Sequence, residues 1–267
     1  MLNFVSIGSG SSGNCYLLYT ETTCLMIDSG IAFKTLKRHL KNLGIELEKV
    51  DALFITHDHA DHIKAVGHIA NTYGKPVYAT EPVHVGIQHN YCVSHKPEAQ
   101  YIRRISKGER VCIGELEVTP FDVPHDSSDC VGYSIRHGDT VFCLITDIGH
   151  VTQTISEQVS MADYIVLEAN HDEDMLMMGK YSAYLKGRIR GDKGHLCNKE
   201  SARLLAEHGT PRLKHVWLCH LSEENNHPEL ARKTMESVLR SYGILPGVDF
   251  ELDILKRKSP SEIYHLK

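Results

Sequence analysis

The sequence predicts an α/β fold with a sheet-on-sheet core flanked by helices, and three features carry that expectation. First, short continuous apolar runs recur along the chain, each leading into one polar residue: 53–56 into His57, 141–146 into Asp147, 164–167 into Glu168 and 216–219 into His220. Continuous runs of this length suit strands buried on both faces. Second, apolar residues recur at helical spacing between glycine and proline stops. Third, alternating runs with turn glycines between residues 101 and 146 suggest a meander of antiparallel strands.

In chain order, Asn3 to Ile7, Cys15 to Tyr19 and Cys24 to Ile27 read as three strands separated by turn formers. A helix is expected from Ile31 to Leu43, with Phe33, Leu36, Leu40 and Leu43 on one face and Gly44 as its stop. Another begins near Asn198 and ends at Gly209, ahead of Pro211. A further helix starts at Pro228 and turns Ala231, Met235, Val238 and Tyr242 to one side before Gly243. No repeat, low-complexity segment or linker interrupts the chain, so residues 1–267 read as a single domain.

Composition narrows the function classes. With 42% hydrophobic and 24% charged residues, the balance is that of a soluble globular protein. A net charge of −5 gives the molecule as a whole no reason to seek nucleic acid or an anionic membrane, so any such affinity must be local. The first residues carry no basic leader, and no stretch is long and apolar enough to span a bilayer. The eight cysteines, without a Cys-x-x-Cys pair, read as reduced thiols of a cytoplasmic protein. The unusual count is histidine, at 18.

Thr56-His57-Asp58-His59-Ala60-Asp61-His62 packs three imidazoles and two carboxylates into seven residues just after a buried strand. Crowding so many titratable groups is electrostatically costly unless cations absorb the charge. A solvated loop is the bland alternative. Imidazole nitrogen and carboxylate oxygen suit Zn²⁺, and also Mn²⁺ or Fe²⁺, so ligand type alone does not name the metal.

These residues resemble the His-x-His-x-Asp-His signature of the metallo-β-lactamase superfamily, and the match continues in order through His125, Asp147 and His220. The resemblance implies an αββα four-layer sandwich and two divalent cations. One would be held by His57, His59 and His125, the other by Asp61, His62 and His220, with Asp147 between them and Asp61 also counted as catalytic. Asp28 resembles the family's aspartate that orients a ligand histidine; equally, it could cap the helix that follows.

Further stretches, at 8–14, 168–172, 184–189, 194–198 and 220–226, are similar to the YycJ/WalJ group, bacterial relatives of the tRNase Z nucleases. That similarity implies a 5′-to-3′ exonuclease on duplex DNA with a role in mismatch repair. Cys197 departs from it, standing where the group usually has serine. By the same resemblance His195 would protonate the leaving oxygen with Glu168 as its acidic partner; the alternative is that His195 caps the helix near Asn198.

Two regions are candidates for substrate contact. The Gly/Ser loop at 8–13 lacks the Gly-Lys-Ser/Thr ending of a nucleotide-binding loop, but its backbone or Asn14 could approach a phosphate; otherwise it is a tight turn. Lys180, Lys186, Arg188, Arg190 and Lys193 gather around Tyr181 and Tyr184 against the single acid Asp192. Phosphate contacts by the cations with tyrosine stacking would hold a strand without sequence preference. The basic residues Lys34, Lys37, Arg38 and Lys41 read instead as solvated surface. The expected partner is nucleic acid, DNA ahead of RNA, with no membrane. A small-molecule hydrolase (phosphodiesterase, thioesterase or lactonase) or an RNA-processing nuclease on the same scaffold is the alternative, and a metal used only for folding is a third class.

Overall fold

The computed structural model describes residues 1–267. Its strands form two seven-stranded sheets, ordered β14-β1-β2-β3-β4-β5-β6 and β13-β12-β11-β10-β9-β8-β7. By compactness the chain divides into two units, one of residues 1–120, 127–131 and 256–267, the other of residues 121–126 and 132–255.

In the first unit, β1 (Leu2–Gly8), β2 (Cys15–Tyr19) and β3 (Cys24–Ile27) run antiparallel, at the positions expected from the turn formers between them. From β3 the sheet turns parallel through β4 (Ala52–Phe54), β5 (Val77–Ala79) and β6 (Ile102–Arg104). At the other edge β14 (Tyr264–Leu266) closes onto β1. The parallel links are made by α1 (Phe33–Asn42), α2 (Ala60–Ile63), α3 (Val66–Tyr73) and α4 (Glu81–His89). Leu36 and Leu40 of α1 and Ile63, Val66, Ile69 and Ile87 join Val5, Leu17, Met26, Leu53 and Val77 in one core. Burying each such aliphatic side chain contributes about 1.5–3 kcal/mol. Lys34, Lys37 and Lys41 lie outside that core on the other face of α1.

The expected meander from 101 to 146 is corrected in part. β7 (Val111–Ile113) and β8 (Leu116–Asp122) are antiparallel, as are β9 (Val131–His137) and β10 (Thr140–Ile145). β6 instead pairs parallel with β5 in the first sheet. Its only apolar residue is the half-buried Ile102, followed by exposed Arg103 and Arg104, so backbone pairing rather than a buried face holds this edge, and no periodicity announces it.

In the second unit, β10, β11 (Tyr164–Glu168), β12 (His215–Cys219) and β13 (Glu251–Ile254) are parallel. The connections carry α5 (Gln153–Met161), α6 (Glu173–Met178), α7 (Ala183–Arg190), α8 (Asn198–His208) and α9 (Pro228–Ser241). Trp217 is fully buried, with the His215 ring stacked at 4.0 Å. In α9 the buried face is Ala231, Met235 and Leu239; Tyr242, expected on that face, is the exposed C-cap residue and its hydroxyl bonds Glu207. Leu239 reaches the core one turn earlier, and Gly243 then reverses the chain at φ 81°.

Parallel strands point the same way, so their carboxyl ends lie together. Register makes this concrete: Ile145 pairs with Leu167 and Leu167 with Leu218, which brings Asp147, Glu168 and His220 to one end of the second sheet. In the first sheet Ile27 pairs with Phe54, setting Asp28 beside the strand exit that leads to Thr56 and His57.

Candidate metal centre

The loop after β4 is held from below by Asp28. Its Oδ1 accepts from the Thr56 backbone N–H at 2.9 Å, and its Oδ2 accepts from His62 Nδ1 at 2.7 Å. Thr56 Oγ1 donates to the same carboxylate at 2.9 Å and in turn accepts from His57 Nδ1 at 3.0 Å. Burial pushes the Asp28 carboxyl up, against the pull of His62 and Thr56. Of the two roles open to Asp28, orienting a histidine is the one the geometry bears out, since Ala32 holds the N-cap position of α1. His57, His59 and His62 lie ring against ring, with centroids 4.7 Å apart for the first pair and 4.0 Å for His57 with His62.

Asn14 closes this half. It is fully buried, and its amide faces the loop: Oδ1 accepts from Gly10 N at 2.8 Å while Nδ2 reaches His62 Nε2 at 2.9 Å and the Asp61 backbone oxygen at 3.3 Å. Asn14, which follows the Gly/Ser segment, thus braces the histidine loop. Gly30 permits the close approach, because a Cβ there would stand 1.6 Å from the Asp61 carbonyl oxygen.

In the second unit the ligand atoms of Asp147, Glu168, His195 and His220 all lie within 4.8 Å of one another. Glu168 is fully buried and accepts four hydrogen bonds: from His195 Nδ1 at 2.8 Å and His220 Nδ1 at 3.0 Å on Oε1, and from the Ile148 N–H at 2.7 Å and the Leu196 N–H at 3.2 Å on Oε2. Burial alone would raise its pKa, but His195 and His220 outweigh it and hold the carboxyl at about 2. Burial works against the charged form of His195, yet Glu168 and Asp147 raise its pKa. His125 donates Nδ1 to the Gly194 carbonyl at 3.0 Å, and its Nε2 lies 3.7 Å from Asp147 Oδ1. His195 does not cap α8; Cys197 occupies that position without a side-chain cap bond.

Four histidines thus share one arrangement. In His57, His62, His125 and His220 an oxygen acceptor engages Nδ1, which puts the proton there and the lone pair on Nε2; in His62 that lone pair accepts from Asn14 Nδ2, which a bound cation would displace. Histidines that bind metal through Nε2 are oriented in this way. With carboxylates beside them, the donor set fits a divalent cation of the zinc or manganese kind.

Three of these residues, Asp28, Asp147 and His220, have left-handed backbones at φ 57°, 58° and 53°, each at the end of a strand. Non-glycine residues are uncommon there and cluster at functional sites. Sequence reading named the residues but had no signal for this conformation.

Of the basic segment, Lys186, Arg188 and Arg190 lie on α7, no residue of which is buried, and Lys180 and Lys193 flank it. Tyr184 is 83% exposed. Arg188 pairs with Asp126, beside His125, while Lys186 Nζ donates to the Met177 carbonyl at 2.7 Å and Arg190 reaches the Met177 sulfur. Lys180 is exposed.

Residues 23–220 match the model of the β-lactamase superfamily domain. The chain is 34% identical over 265 residues to exodeoxyribonuclease YycJ of Bacillus anthracis, covering 99% of each. It belongs to the metallo-β-lactamase superfamily, in the YycJ/WalJ group. Exodeoxyribonuclease WalJ of Streptococcus pneumoniae is 35% identical over 246 residues, 92% of this chain and 91% of that protein. The fold likewise matches that of the metallo-β-lactamase fold protein YhfI from Bacillus subtilis, with a TM-score of 0.72 at 18% identity over 98% of this chain and 100% of that one. As a member of this superfamily the chain is a metal-dependent hydrolase with the family's α/β sandwich fold. No helix is long and apolar enough to cross a membrane.

Proposed function

We propose that the chain hydrolyses phosphodiester bonds in nucleic acid, as a 5′-to-3′ exonuclease on duplex DNA that serves mismatch repair in the cytoplasm. The end-to-end similarity to two exodeoxyribonucleases is the observation that carries this reading. The buried Glu168–His195 pair supports it chemically. Residues 1–267 act as one functional domain. His57, His59 and His125 would hold one divalent ion and Asp61, His62 and His220 a second, with Asp147 supplying a carboxylate between the two sets. Zinc or manganese fits these donors, and iron(II) also.

Such ions, when bound, make water nucleophilic near neutral pH and stabilise the charge that develops on phosphorus oxygens. The chain's own groups do the rest. Asp28 and Thr56 fix the tautomers of His62 and His57, so neither must reorient during turnover. Asp61 orients the attacking water. Glu168 holds His195 by Nδ1, leaving Nε2 to deliver a proton to the departing 3′-oxygen, a contribution of about 10² to 10⁴ in rate. Lys180, Tyr184, Lys186, Arg188 and Arg190 on and beside α7 hold the strand through phosphates and a stacked base, with Asn14 bracing the loop beneath it.

Metal analysis of the purified protein, paired with digestion of end-labelled single- and double-stranded DNA and RNA, tests the reading. Asp147→Ala is expected to abolish cleavage in a folded protein. Turnover of that variant at the wild-type rate refutes the mechanism, and cleavage confined to small phosphodiesters or to RNA replaces the DNA assignment.

A further inference from the structure

Within the first unit lies a cavity of about 160 Å³, walled by the Gly/Ser turn, the start of α1, Lys64 and the segment at Arg257, with none of the candidate metal ligands in its lining. Lys64, Arg257 and Lys258 line it together with the hydroxyl residues Ser12 and Thr35, and no carboxylate contributes to its wall. His39, also at the wall, has its pKa lowered by burial and by Arg38, so it adds a neutral donor and not a fourth charge. Arg257 Nε is buried without a hydrogen-bond partner. A buried guanidinium N–H left in this state costs free energy that an anion would recover. Lys64 and Arg257 set two like charges at one concavity, and an anion between them relieves their repulsion.

The cavity is also tied to the reactive loop by backbone. Lys64 stands two residues beyond His62. The Gly/Ser turn that supplies Ser12 ends at Asn14, whose N–H donates to the Asp61 carbonyl at 2.7 Å. Ser29 N–H donates to the His62 carbonyl and Ala65 N–H to the Ser29 carbonyl, so the wall and the loop form one rigid unit. From the other side Arg257 is pinned by its carbonyl, which accepts from Ser9 N–H at 3.3 Å.

We propose that this cavity seats a non-reacting phosphodiester group of the nucleic-acid strand whose scissile bond is presented to the histidine loop. The inference rests on the nuclease reading and adds to it a fixed contact that sets the register of the strand. Arg257 supplies a planar fork to two phosphate oxygens, and Lys64 and Lys258 supply point charges.

The test measures binding, not turnover. A labelled duplex is titrated by fluorescence anisotropy at several NaCl concentrations, in the Asp147→Ala background so that the strand stays intact. Replacing Lys64 and Arg257 together by glutamine is expected to raise Kd about 10-fold or more and to lower the slope of log K against log salt by roughly 1 to 2. Arg257→Lys should recover part of the affinity. Should the double variant melt early, Lys64→Gln and Lys258→Gln on the rim carry the same measurement. Unchanged Kd and slope in variants that fold overturns the subsite, while DNA cleavage by the wild type then leaves the nuclease reading standing. Wild-type protein that neither binds nor cleaves nucleic acid removes both.

Discussion

Replacing Glu168 by glutamine isolates what this buried, fully bonded carboxylate does. Its two oxygens accept from four donors, two imidazole N–H groups and two backbone N–H groups. Glutamine retains one acceptor oxygen, so whichever way the amide turns, its NH₂ faces two donors that nothing then satisfies. A hydrogen bond to a charged group contributes about 1.5–3 kcal/mol, and two are lost, which gives roughly 3–6 kcal/mol. Breaking a buried charged pair costs a comparable 3–5 kcal/mol. At about 2–4 °C per kcal/mol for a chain approaching this size, the melting temperature should fall by about 10 °C. Because the carboxyl is held at about 2, it is fully ionised at neutral pH, and the substitution removes a whole charge. Thermal melting of the metal-loaded variant and single-turnover cleavage of end-labelled DNA measure the two effects, the second expected at 10²- to 10⁴-fold loss. A variant that melts within about 2 °C of wild type and cleaves at the same rate would refute both the bonding account and the role given to His195.

Asp28→Asn should weaken metal binding about 10- to 100-fold, read by competition with a chelating dye, because the amide can no longer hold both His62 and Thr56 as a carboxylate does. Neutralising Lys186 and Arg188 should weaken binding of long substrates and flatten its salt dependence; equal salt slopes would return α7 to ordinary surface. Cys197→Ser should raise stability by about 0.5–1 kcal/mol, or about 2–4 °C, because a hydroxyl at this N-cap position accepts an orphan N–H of α8 far better than a thiol. A melting temperature that does not rise would show that the cap is already satisfied.

Where the sequence was legible, burial on both faces made it so. The apolar runs before His57, Asp147, Glu168 and His220 became β4, β10, β11 and β12, with their polar residues at the strand exits. The Asn198 and Pro228 helices begin at the expected residues because a proline at N1 and a helix start near Asn198 are local signals. Asp28 was left between two roles, since a choice between capping α1 and holding His62 depends on a contact 34 positions away. β6 and β14 were missed or misplaced for a related reason: three residues each, paired to distant strands, leave no period to read. The exposed α7 was read only as a charged stretch, because with no buried face it shows no apolar stripe.

The left-handed backbones of Asp28, Asp147 and His220 restrict what can be exchanged at these corners. Each conformation costs on the order of 1 kcal/mol relative to a residue without a Cβ, yet glycine would forfeit the bonds that Asp28 and His220 make to buried partners, which contribute more. Neither glycine nor a longer side chain is neutral there, so these three corners should tolerate fewer replacements than the strands that lead into them.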